Sequence, residues 1–144
     1  MSPRVGTVVV GVLSVLLGLA GLVYPERVMG LLGFMPQNPS HAAATLGEVR
    51  ATYGGIFLVL GAFTLAAAMN PWNQRGRLVL LALVWLGAAA ARLFGVWVDG
   101  NPGLPGWASA AFELFMGGML LFASQAAAPP AVAPVAPVAT TQTA

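Results

Sequence analysis

Four stretches of the chain are longer and more apolar than a soluble core requires: residues 5–24, 46–69, 78–98 and 107–124. At 1.5 Å per residue each gives about 27–36 Å of helix, which matches a hydrocarbon layer of ~30 Å. Backbone in lipid must satisfy its own N–H and C=O groups, so such stretches become helices. Composition points the same way, with 58% hydrophobic and 7% charged residues in 144. So few charges could not cover the surface of a soluble domain. The sequence therefore predicts an all-α integral membrane protein, an antiparallel bundle of four transmembrane helices forming one domain over residues 1–125.

The connections are marked by breakers. Pro25 ends the first run. Residues 26–40 then read as a loop around a short apolar piece, Val28 to Met35, too short to cross a bilayer and placed either in the interface or back against the bundle. Ser40 or Thr45 would cap the second span, and Thr45 with Glu48 fits a capping box. Asn70 to Gln74 is a turn, and Asp99 to Gly106 a loop with Pro102 and Pro105. The Ala/Pro-rich segment 126–144 has no periodicity and reads as a disordered cytoplasmic tail. The first run is read as a retained span because it exceeds a signal-peptide core and Gly21 to Pro25 offers no small-x-small cleavage site. Its Gly11, Ser14, Gly18 and Gly21 share one face, a stripe on which another helix can approach closely.

Charge placement orients the bundle. Arg4, Arg75 and Arg77 fall on one side, while the opposite loops carry Glu26, Arg27 and Asp99. The positive-inside rule then puts both termini in the cytoplasm of a plasma (inner) membrane, with Tyr24, Trp97 and Trp107 at the outer interface and Trp72 at the inner one.

The remaining charges gather at one depth. Glu48 and Arg50 open the second span, Arg92 lies two turns before the end of the third, and Glu113 lies six residues into the fourth. Each facing lipid would cost on the order of 3 kcal/mol or more, so pairing inside the bundle is expected. Arg92 is predicted to pair with Glu113, with Glu48 and Arg50 beside them and Tyr53 and Asp99 completing a polar cluster near the outer face. Two uses of that cluster stay open: a lattice of salt bridges that fixes helix register, or a site for a small polar or anionic ligand.

Other chemistries lack their residues. There is no cysteine, and the single histidine, His41, is in a loop. Glu48, Asp99 and Glu113 lack the Glu-x-x-His spacing of a carboxylate metal site, and two arginines beside them would repel a cation. No cofactor, metal or catalytic group is expected. The arginines are scattered, so no nucleic-acid face is expected either.

The block Glu48-Val-Arg-Ala-Thr-Tyr-Gly-Gly55, followed by Arg92-Leu-Phe-Gly95, Asp99-Gly with Pro102, and Glu113, resembles the bacterial four-span membrane-protein family called domain of unknown function 4345. The resemblance covers most of residues 5–124 and implies a four-helix membrane protein carrying these polar positions. It implies no activity or cofactor. The expected function is that of an accessory or structural membrane subunit, working through self-association or within a larger membrane complex in the lipid bilayer. The alternative is a carrier or binder of a small solute or lipid headgroup at the polar cluster. A membrane enzyme is the third class.

Overall fold

The structure, a computed structural model, describes residues 2–34 and 42–126. The tail beyond Ala126 and the segment holding Pro36, Pro39, Ser40 and His41 lie outside the described residues. Helix α1 is Pro3–Val23, α2 Pro25–Leu31 and α3 Ala42–Val49. A π-helical segment, Arg50–Ile56, continues α3 directly into α4, Phe57–Met69. Helices α5, Arg75–Asp99, and α6, Gly103–Ala126, complete the chain. Four rods are long and apolar enough to cross a membrane: α1, the continuous Ala42–Met69, α5 and α6.

Boundaries shift where local chemistry allows a longer helix. The second span begins by Ala42, so Thr45 and Glu48 sit inside it and do not form a capping box. Helix α6 begins at Gly103, several residues before Trp107. Pro105 is tolerated there because the first turn of a helix leaves its N–H groups without intrahelical acceptors. The α5–α6 connection is thus reduced to Gly100 to Pro102, turned by Gly100 at φ 93°. Asn101 Oδ1 pins it by accepting from Gly103 N and Trp107 Nε1, both at 3.1 Å.

Two pairings dominate the packing, α1 with α4 and α5 with α6, and α1 also packs on α6. The expected small-residue stripe makes the first of these. Gly11, Ser14, Gly18 and Gly21 are all buried. A Cβ on Gly18 would come within 2.6 Å of Leu58 N, and one on Gly61 within 2.7 Å of Val15 N. Those helices touch backbone to backbone, which only glycine allows. Across the other seam, Gly117 receives Leu86, whose Cγ would stand 2.6 Å from an added Cβ.

Toward the Asn70 end of the bundle the core closes on Val10, Ala67, Leu78, Leu81, Ala82, Met116, Leu120 and Ala123. Hydroxyls in this interior bond to their own helices: Ser14 Oγ to Val10 O at 2.8 Å and Thr64 Oγ1 to Leu60 O at 2.7 Å. This removes the cost of an unpaired polar group in an apolar medium. The outward faces carry Leu16, Val23, Leu80, Leu83, Phe94 and Phe122, all exposed, as a surface bathed in lipid requires.

Candidate functional site

Toward the Gly100 end the bundle does not close. Residues recurring at sevenfold spacing place Leu78, Trp85 and Arg92 along one face of α5. Ala110, Glu113, Gly117, Leu120 and Ser124 line the matching face of α6 and are buried. Apolar packing thus runs up both helices until Arg92 meets Glu113. Arg92 Nε donates to Glu113 Oε1 at 2.7 Å. Glu113 is 5% exposed, whereas the Arg92 side chain keeps 30%. No other ion pair forms among the described residues.

Beside this pair lies a cavity of 340 Å³. Its wall is mostly apolar, with Leu17 of α1, Phe57 of α4 and Phe112 of α6 among its lining. Helix α2 and the residue after it cover one side through Val28, Leu31 and Leu32. The short apolar piece after Pro25 therefore folds back against the bundle as a helix, since it is too short to span. Polar character comes from Arg92, Glu113, Tyr53 and Ser109. The Tyr53 hydroxyl stands beside the Arg92 guanidinium. Glu113 Oε2 is buried and has no hydrogen-bond partner among the described residues.

An aromatic row borders the cavity. Ring centroids run Phe34 to Tyr53 at 6.2 Å, Tyr53 to Phe57 at 5.6 Å, Phe57 to Trp85 at 5.1 Å and Trp85 to Phe112 at 5.7 Å. These tilted and edge-on contacts are the geometries aromatic quadrupoles favour. They fill the gap between α4 and α5, which touch little by backbone. Arg92 also borders a second cleft of 250 Å³ with Asp99, Asn101 and Trp107 at the Gly100 connection. The guanidinium therefore borders both openings, the apolar cavity and the cleft that holds Asp99 and Asn101.

The six predicted residues divide. Arg92, Glu113 and Tyr53 meet at the cavity, and Asp99 joins Arg92 at the polar cleft. Glu48 and Arg50 do not join them: both are exposed and border neither opening. Two physical reasons account for this. The rod from Ala42 to Met69 has 28 residues. At ~1.5 Å each it is longer than a hydrocarbon layer of ~30 Å, so it has turns to spare at its ends, where long charged side chains can reach water. The π-helical segment also replaces i→i+4 bonding by i→i+5. Arg50 and Tyr53, one face apart by α periodicity, then point differently, Arg50 outward and Tyr53 inward. Sequence reasoning missed Trp85, Phe57 and Phe112 because each hides in an apolar run. The one available signal was the spacing of Trp85 two turns before Arg92.

A family model described as domain of unknown function (DUF4345) matches residues 3–124. The chain belongs to this family. The match takes in α1 to α5, α6 as far as Ser124, and both members of the Arg92–Glu113 ion pair. No match to the chain emerges among curated proteins or solved structures.

Proposed function

We propose that this DUF4345 protein binds a small amphiphile, with the apolar body of the ligand in the 340 Å³ cavity and its polar head at Arg92 and Glu113. One observation carries the reading: a buried carboxylate oxygen, Glu113 Oε2, without a partner among the described residues, on a side chain that lines an open apolar space. An ion pair meant only to fix register gains by filling its remaining hydrogen-bond sites and by close packing around it. Neither holds here. The volume falls at the small end of the ~300–1,000 Å³ range of small-molecule sites, and an apolar wall with a few convergent polar groups is their usual chemistry. A purely structural or accessory role leaves such a space unexplained. The charge distribution supports an inner-membrane orientation with both termini cytoplasmic, Arg4, Arg75 and Arg77 lying at one end of the bundle. The mouth beside Asp99 then faces outward.

The test is to fill the cavity. Ala108 lines it, and Ala108→Phe places a ring inside. Native mass spectrometry of the wild type, purified gently from its own membrane, should show a small bound molecule that the variant lacks while remaining folded and monodisperse. Identical spectra for the two proteins would overturn the reading.

A further inference from the structure

The charge balance at the cavity narrows what its occupant can be. We infer that the head of the bound molecule is an uncharged hydroxyl, alcoholic or phenolic, that donates to the Glu113 carboxylate, whose Oε2 a turn of the side chain brings from its buried position to the cavity, and accepts from Arg92. This inference rests on the ligand-binding reading of the same cavity.

Arg92 carries five N–H donors and Glu113, ionised, only acceptors. Their contact is through Arg92 Nε and Glu113 Oε1 alone, not the two-bond fork these groups can form. The rest of the guanidinium is left to the Tyr53 side and to the two openings that Arg92 borders. Glu113 Oε2 is left with nothing among the described residues. The pair is neutral as a unit. An anionic head would be drawn by Arg92 and repelled by Glu113 a bond length of hydrogen bonding away; a cationic head meets the reverse. Among the described residues no further Asp, Glu or Arg lines this cavity to tip the balance. A head that only accepts, such as an ether or ketone, leaves Oε2 desolvated and unpaired, and one that only donates ignores the guanidinium. A hydroxyl does both from one oxygen atom, and it needs no compensating charge. Tyr53, Phe57 and Phe112 in the wall favour a ring as the body attached to it.

The same head can come from a small phenol or from a hydroxyl-headed lipid, and the probes separate them. Full-length protein in nanodiscs of a lipid without free hydroxyls is titrated with 4-propylphenol, 4-propylanisole, 4-propylbenzoate and a monoacylglycerol, following tryptophan fluorescence and melting temperature. The Ala108→Phe protein is the control for simple partition into the bilayer. We expect 4-propylphenol to bind about tenfold tighter than the anisole, as leaving one buried acceptor unpaired implies, and tighter still than the benzoate. A monoacylglycerol that outcompetes the phenol supports the hydroxyl head and assigns its source to lipid. In Glu113→Gln the acceptor charge is gone and Arg92 is left in excess, so the preference should swing from phenol toward benzoate. If that variant does not fold, the wild-type series decides by itself. Anisole or benzoate binding as well as the phenol, with the signal lost in Ala108→Phe, overturns the hydroxyl head and leaves the cavity reading standing. A response equal in wild type and Ala108→Phe, or none to any probe, overturns both.

Discussion

The two ends of the bundle solve the same packing problem differently. Toward Asn70, the interior is filled by Leu78, Leu81, Met116 and Leu120 with the small residues Ala67, Ala82 and Ala123 between them, and the hydroxyls bond to their own backbones. Toward Gly100, the same helices hold, among the described residues, one ion pair, a carboxylate oxygen without a partner and a cavity. The difference cannot come from chain length or from helix propensity, because α5 and α6 run through both ends without a break. It lies in the residues at the seam positions. Replacing a buried ion pair by apolar side chains is often neutral or stabilising. A bundle selected for stability alone would have continued its leucines upward. The open end is thus set apart from the closed one by what it leaves unfilled.

The largest contrast should come from truncating one leucine at each end. Leu120 is fully buried in the closed core, while Leu31 on the cavity cover is 78% exposed. Leu120→Ala should cost about 2–3 kcal/mol, the low part of the ~2–5 range for buried leucine, because an unfolded span stays in lipid and loses packing but not burial. Leu31→Ala should stay within ~0.5 kcal/mol. Steric-trapping or denaturant unfolding in bicelles reads both. Equal losses would erase the distinction between the ends.

Next comes the ion pair itself. Glu113→Gln or Arg92→Gln alone leaves one charge without its partner, which for a buried pair costs ~3–5 kcal/mol. The loss should be nearer ~2 kcal/mol here, since Arg92 keeps 30% of its side chain exposed and can reach the polar mouth. The double variant Arg92→Gln with Glu113→Gln should recover much of that loss. Additive single and double effects would show that the contact contributes nothing as a pair.

How much of this was legible beforehand follows the same division. The apolar runs specify four spans because lipid leaves the backbone no alternative, and the glycine stripe specifies that another helix approaches closely, though not that α4 is the one that does. Opposite sign and matched depth were enough to join Arg92 to Glu113. The cavity was not legible. It arises where Leu17, Phe57 and Phe112 converge from three helices, and such convergence leaves no periodic signal in any one of them. Helix α2 over its side was readable only as a choice between two placements. The π-helical segment is not legible either, since α periodicity places Arg50 and Tyr53 on one face and nothing in the sequence marks the wider turn.

The smallest expected effect sharpens the comparison from the other side. Glu48 and Arg50 occupy the same end of the bundle as Arg92 and Glu113, and they bear the same charges. Enclosure separates the two sets: Glu48 and Arg50 are exposed on the 28-residue rod, while Glu113 is enclosed. Glu48→Gln and Arg50→Gln should each change unfolding free energy by less than ~0.5 kcal/mol, the usual size for an exposed substitution away from any packed feature. The pair in combination should show no coupling, because there is no contact to lose. The same unfolding assay used for Arg92 and Glu113 checks this. A loss approaching that of Glu113→Gln would mean that charge anywhere at this end matters, and that the enclosed position of Glu113 is not what sets it apart.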